Sequence, residues 1–373
     1  MTTNDENAKY WLAFASIEKI GGVFIKTLFN HFGSIKSAWC AGSDELYAIE
    51  GLTSRQISDF LKLRNQTNPD ECLEYIQKKN IKFLNYTDTN YPKLLRQIYN
   101  PPMTLFYKGD LSRCNFDRTI AVVGSRKASE AAKTVLTKIL SDFKGTDICI
   151  VSGLALGIDS CAHKAAVNNG ISTIGVIASG FDYIYPTQNK DLYKKIEDDS
   201  GVIFSEYWPT FQPLQWRFPH RNRIVTGLSK GTLVAEAAIK SGALISANLC
   251  LEQNRELMCM PGLLTNPNTE GIYKLIKNGA AVVTRAQDIL DTLDWQVETK
   301  PEKKQNPLES LDLTEDEKTV FDIIATDPTS FDNIASKTGM DFGNLMVTLT
   351  NLELKGCIKQ TDGEKYMSAI NIG

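Results

Sequence analysis

The chain has 373 residues, 42% of them apolar, and a formal net charge of −3, so it holds an ordinary core for two or three domains and is no polycationic nucleic-acid coat. It shows no charged-apolar-small leader and no apolar run of about 18 residues, and is expected to be cytoplasmic, with no membrane partner. Charge divides unevenly: residues 1–110 carry 13 basic against 12 acidic groups, 111–295 carry 20 against 18, and 296–373 carry 8 against 14, so nucleic-acid binding needs a local cluster.

The eight cysteines fall singly in apolar runs and are expected to be reduced core residues. His31, His163 and His220 stand far apart without cysteines at ligand spacing, so neither a metal nor another cofactor is expected.

The first 80 residues carry helical periodicity around two glycine-centred turns, IEKIGGVFIKTLF and LYAIEGLTSRQISDF. They resemble a tandem helix-hairpin-helix or SAM-like module, whose glycines serve its corners and whose role is read as scaffold.

Residues 81–295 change grammar. Short β-branched runs alternate with helices: TIAVVG, SEAAKTVLTKILSDF, DICIVSG, IDSCAHKAAVNNG and STIGVIASG, then GVIFSE, GTLVAEA, ELMCMPG and AAVVT. Apolar strands without in-out alternation, each followed by a helix, predict an α/β domain with a Rossmann-like, mostly parallel sheet covered on both faces. A polar, proline-bearing linker at 296–310 leads to residues 311–373, where three helices and a hairpin with Asp362-Gly363 at its tip predict a winged helix. Its third helix carries one late lysine, so this acidic domain is expected to dock a protein partner rather than DNA. The DFG at 341–343 has no kinase context.

Ligands of open parallel sheets bind beyond the carboxyl ends of the strands, which selects four loops. Gly124-Ser125-Arg126 combines close backbone approach, a hydroxyl and a guanidinium before a helix starting near Ser129, a set that suits phosphate. Ser152-Gly153-Leu154-Ala155-Leu156-Gly157 is expected to leave successive N–H groups open to an anion, with Asp159 or Ser160 capping the next helix. It is neither a Walker A loop nor a dinucleotide fingerprint. His163 is expected to hydrogen-bond back toward Asp159, four residues earlier.

In the third loop, Gly180, Phe181 and Lys190 pair an aromatic cluster with a cation, and Tyr185 is read as a hydrophobic lid. The fourth is Phe218-Pro219-His220-Arg221-Asn222-Arg223, approached by Trp208, Phe211 and Trp216. Phe218 would stack on a base, one arginine would grip phosphate, and the other would pair with a buried carboxylate such as Glu236 or Glu206. Asn222 is read as architecture.

Taken in order, Tyr91-Pro92, PPMTLFYKGD, VGSR, SGLALGID with Ala162-His163, SGFDYIYP, FPHRNRIVTGLS, VAEAAIKSGALISANL, MPG and LIKNGA make the chain resemble the DNA processing protein A family (DprA, also called Smf). The chain departs from the family pattern at Ser129-Glu130-Ala131, Ser246 and Tyr273. The resemblance implies a dimeric, non-catalytic protein that protects incoming single-stranded DNA and loads RecA recombinase during natural transformation. It also implies a strand-binding surface at Arg126, the SGLALGID loop, Lys190, Phe218 and the FPHRNR arginines.

Two alternatives stand beside it. A nucleoside-monophosphate phosphoribohydrolase of the lysine-decarboxylase-like fold needs a Pro-Gly-Gly loop followed by a glutamate, where this chain has VAEAAIKSGALISAN. A small-nucleotide-binding regulator would use the same pocket.

Overall fold

The computed structural model describes residues 7–296, 313–326, 329–361 and 365–369. The chain divides into two compact units, 1–298 and 299–373.

The first unit opens with α1 (Ala8–Ser16), α2 (Gly22–Phe32), α3 (Ile35–Cys40), α4 (Ser43–Tyr47), α5 (Ser54–Arg64) and α6 (Pro69–Lys78). Local chemistry sets their ends: Thr53 and Gln56 form a capping box on α5, and Asn68 caps α6 ahead of Pro69. Their apolar faces meet on Trp11, Phe14, Trp39 and Phe60, with the Phe14 and Phe60 rings stacked at 5.2 Å. The same core continues without a break into Phe106, Ile203 and Trp208 beside the sheet.

The sheet is built from β1 (Lys82–Asn85), β2 (Thr104–Gly109), β3 (Thr119–Gly124), β4 (Cys149–Ser152), β5 (Ser172–Val176), β6 (Gly201–Ser205), β7 (Gly231–Glu236), β8 (Glu256–Cys259) and β9 (Ala281–Val282). Their spatial order is β1-β2-β6-β5-β4-β3-β7-β8-β9. Strands β3 to β9 are parallel, as the apolar runs predict. Antiparallel β1 and β2 extend the sheet beyond the predicted strands.

The helices accompanying the sheet are α7 (Lys93–Arg96), α8 (Glu130–Ser141), α9 (Ile158–Asn168), α10 (Lys190–Lys195), α11 (Arg217–Gly227), α12 (Gly242–Glu252), α13 (Glu270–Lys277) and α14 (Ala286–Thr292). Strand alternation sends Ile120 and Val122 into one core with α8, α9 and α14, and Ala121 and Val123 into another with α11, α12 and α13. Burial on both faces explains why these strands read as continuous apolar runs. Strand order reverses at β3, which has β4 on one side and β7 on the other, and this opens a crevice at their carboxyl ends.

All eight cysteines are unpaired. Six are buried, but Cys161 is half-buried and Cys40 is exposed, so the expectation of core cysteines fails at those two positions.

The second unit contains α15 (Glu315–Thr326), β10 (Thr329–Ser330), α16 (Phe331–Thr338), α17 (Phe342–Leu354), β11 (Ile358–Thr361) and β12 (Lys365–Ser368), with the antiparallel sheet order β10-β12-β11 of a winged helix. The linker beyond Gln296 and the Asp362-Gly363 tip lie outside the described residues.

Candidate nucleic-acid interface

Three loops and two helices converge on the crevice. Val123 to Arg126 span the end of β3 and the loop after it, Ala155 and, in the first turn of α9, Asp159 come after β4, Ser241 to Ala243 and Ser246 form the start of α12 after β7, and Arg221 and Asn222 project from α11. They enclose a cavity of about 360 Å³. The β3–β7 register slips between Val123 and Gly124, so the backbone leaves the ladder at the point where the site begins.

Arg126 is exposed, and among the described residues it forms no ion pair. Its guanidinium lies over the Phe218 ring, 5.2 Å from the centroid. The N-terminus of α12 also faces the cavity, and its N-cap residue, Ser241, makes no capping bond to it. Among the described residues, the buried Ser241 Oγ has no hydrogen-bond partner. An uncapped helix start beside a guanidinium is an electropositive cradle for an anion.

Sequence reasoning missed Ser241, Gly242 and Ser246. Their signal was present, since SGALISAN follows a predicted strand with small residues that leave the helix start uncovered.

The loop after β4 differs from its expected form. Its N–H groups are not all open: Gly153 N and Ala155 N donate to Asp159 Oδ2 at 3.1 and 3.3 Å. Asp159 therefore closes its own loop, and Gly157 rather than Asp159 or Ser160 occupies the N-cap of α9. Burial raises the Asp159 carboxyl above its ordinary range, against the opposing charge of Arg221 and the two N–H bonds. Ser152 and Leu154, expected at the surface, point inward: Ser152 Oγ donates to the Val122 carbonyl at 2.6 Å, and Leu154 packs in the core.

His163 does not bond to Asp159. Its Nδ1 lies 2.8 Å from Thr173 Oγ1, whose own proton goes to the Ile150 carbonyl. Burial takes His163 down to about 3, so it is a neutral core histidine.

Gly180 and Phe181 are also interior. Gly180 N donates to the Phe211 carbonyl at 2.8 Å, and Phe181 joins the core shared with the front helices. The exposed ring of this loop is Tyr185, which lies outside the hydrophobic cores instead of closing over the sheet edge as the expected lid. Lys190 is exposed and is held near the β4 loop by its neighbour Asn189, which donates to the Leu154 carbonyl and to Ser160 Oγ, both at 2.8 Å.

Both arginines of FPHRNR are buried. Arg221 donates to the carbonyls of Gly153, at 2.6 Å, and Val176, so it ties α11 to two strand ends while its edge lines the cavity. Burial lowers Arg221 to about 10, which leaves it charged. Arg223 makes a two-armed pair with Glu206. Burial alone would raise Glu206, but Arg223 and the His220 bond outweigh it and hold the carboxyl at about 2. Glu236, the other carboxylate considered for this role, instead accepts bonds from Ser129 and Asn266. Asn222 lines the cavity rather than serving only as architecture.

The fold and site define an α/β protein whose electropositive crevice suits a phosphate-bearing ligand, joined to a winged helix. The family profile described as DNA recombination-mediator protein A matches residues 82–294, and the DprA winged helix domain matches 302–364. Protein Smf of Synechocystis is 33% identical over 97% of this chain and 99% of its own length. The X-ray structure of DNA processing protein A from Streptococcus pneumoniae superposes with a TM-score of 0.66 at 34% identity, covering 76% of this chain and 95% of that one. DNA processing protein A from Helicobacter pylori, whose structure addresses its single-stranded DNA binding mode, matches at 29% identity and a TM-score of 0.52, over 58% of this chain and 97% of that one. This chain belongs to the DNA recombination-mediator protein A family.

Proposed function

We propose that this protein binds single-stranded DNA along the carboxyl edge of β3, β4 and β7, protects it, and loads RecA recombinase onto it during natural transformation. The observation that carries this reading is the exposed Arg126, which forms no ion pair among the described residues, beside the uncapped start of α12 and with an aromatic ring under the guanidinium. Phosphate meets the cation and the helix start, and bases meet aromatic faces, a combination that tolerates any sequence. The Helicobacter pylori relative, described as binding single-stranded DNA, supports the same assignment.

Gly124, Ser125, Arg126, Lys190 and Asn222 meet the strand, with Phe218 under the Arg126 guanidinium. Ser152, Gly153, Leu154, Gly157, Gly180, Phe181, Arg221 and Arg223 shape the surface from beneath. The protein works in the cytoplasm as a homodimer without catalysing a reaction. Glu236, the carboxylate a phosphoribohydrolase would need, is buried and engaged with Ser129 and Asn266. The acidic winged helix docks a protein partner: α17 exposes Phe342, Val347 and Leu354 and contains no lysine or arginine, while Lys355, just past its end, pairs with Glu317.

The test is titration of fluorescent single- and double-stranded oligonucleotides at two salt concentrations, with mononucleotide competitor. Single strands should bind preferentially and weaken steeply with salt, and Arg126→Ala should weaken binding and reduce the salt slope by about one. Absent DNA binding, with a mononucleotide saturating the site, would replace this reading with a nucleotide-binding regulator. Light scattering and RecA filament assembly on coated single strands test the dimer and the loading step.

A further inference from the structure

We propose that the base-stacking residue of this site is Tyr185, and that Phe218 is the residue that positions it; this assignment rests on the single-stranded DNA reading above. The Phe218 ring already has two neighbours, the Arg126 guanidinium at 5.2 Å and the Tyr185 ring at 5.4 Å and 57°. Phe218 itself is half-buried, whereas Tyr185 is 51% exposed and belongs to none of the hydrophobic cores. In the series Arg126, Phe218, Tyr185, the outer ring with a face left for a base is the tyrosine.

The loop holds that ring in place before any strand arrives. Ser179 Oγ donates to the Tyr183 carbonyl at 3.1 Å, and Asp182 N donates to the Pro209 carbonyl at 3.0 Å. Downstream, Asn189 anchors the segment to the β4 loop at 2.8 Å, one residue before the exposed Lys190. A single short segment thus presents an aromatic face and a cation, the two elements that hold an unpaired nucleotide. Phe218 couples this platform to Arg126, so base stacking and phosphate contact share one support.

The full-length chain and its variants are titrated with fluorescent oligothymidine and an abasic oligomer of equal length across a salt series. Tyr185→Ala should weaken oligothymidine binding by roughly tenfold, with the salt slope unchanged, while Tyr185→Phe binds like wild type. Abasic binding should not respond to Tyr185→Ala. Phe218→Leu should lower the preference for oligothymidine over the abasic strand, and Phe218→Tyr should restore it. Unchanged oligothymidine binding by Tyr185→Ala, or equal weakening on both oligomers, overturns the tyrosine assignment alone. Failure of the wild-type chain to bind either oligomer overturns the strand-binding reading together with it.

Discussion

Arg221 and Arg223 leave α11 on different sides, and each satisfies groups that burial would otherwise strand: two strand-end carbonyls for the first, Glu206 for the second. The consequence for Arg223 is a pH-dependent clamp. Glu206 sits at about 2 in the fold against an ordinary value of 4.5, so its pair stabilises fully above pH 4.5 and is lost as pH falls toward 2. That loss is on the order of 3 kcal/mol. Thermal melts from pH 5 to pH 2 should show wild type losing more stability than Glu206→Gln. At neutral pH the variant, with Arg223 left as an uncompensated buried charge, should be less stable by about 3–5 kcal/mol. Arg126 behaves oppositely: because it is exposed and forms no ion pair among the described residues, Arg126→Ala should leave the melting temperature unchanged while binding falls.

At the scale of elements, the loop after β4 is a brace, closed by Asp159. Gly157 adopts φ +82°, and a Cβ there would collide with the Ser125 carbonyl oxygen and lie 2.7 Å from the Arg126 carbonyl. Gly157→Ala should therefore cost about 1–3 kcal/mol in denaturant unfolding and also weaken oligonucleotide binding, because it pushes the loop that carries Arg126. Binding preserved at wild-type strength would show that the Arg126 loop does not depend on this contact. The glycines of this loop were legible as requirements for close approach. That Asp159 would use two of its N–H groups was not, because the same residue pattern serves an external anion equally well. The start of α12 escaped for a related reason: an uncapped helix end becomes a site only when other elements face it.

For the whole molecule, the front helices and the sheet share one apolar core, whereas the winged helix has its own. A chain ending at 298 should fold with an unchanged first melting transition and keep its affinity for single strands. A chain starting at 81 should expose Phe106, Ile203 and Trp208 and aggregate. Calorimetry and oligonucleotide titration of both truncations check this, and a soluble, cooperative 81–373 chain would contradict it.

The sequence by itself determined the order of strands β3 to β9 and their helices, the parallel part of the sheet and the winged helix, but not β1 and β2, because each rests on periodicity and turn chemistry within about 15 residues. It also marked Gly124 and Arg126, since a strand-to-helix turn announces itself locally. Only the tertiary structure decided which groups remain free to meet a ligand. Arg221 is engaged by carbonyls 68 and 45 residues away, Arg223 by a carboxylate 17 residues away, and the Tyr185 ring meets Phe218 across a different loop. Hydrogen-bonding capacity belongs to a residue, but whether it is already satisfied belongs to the packed chain.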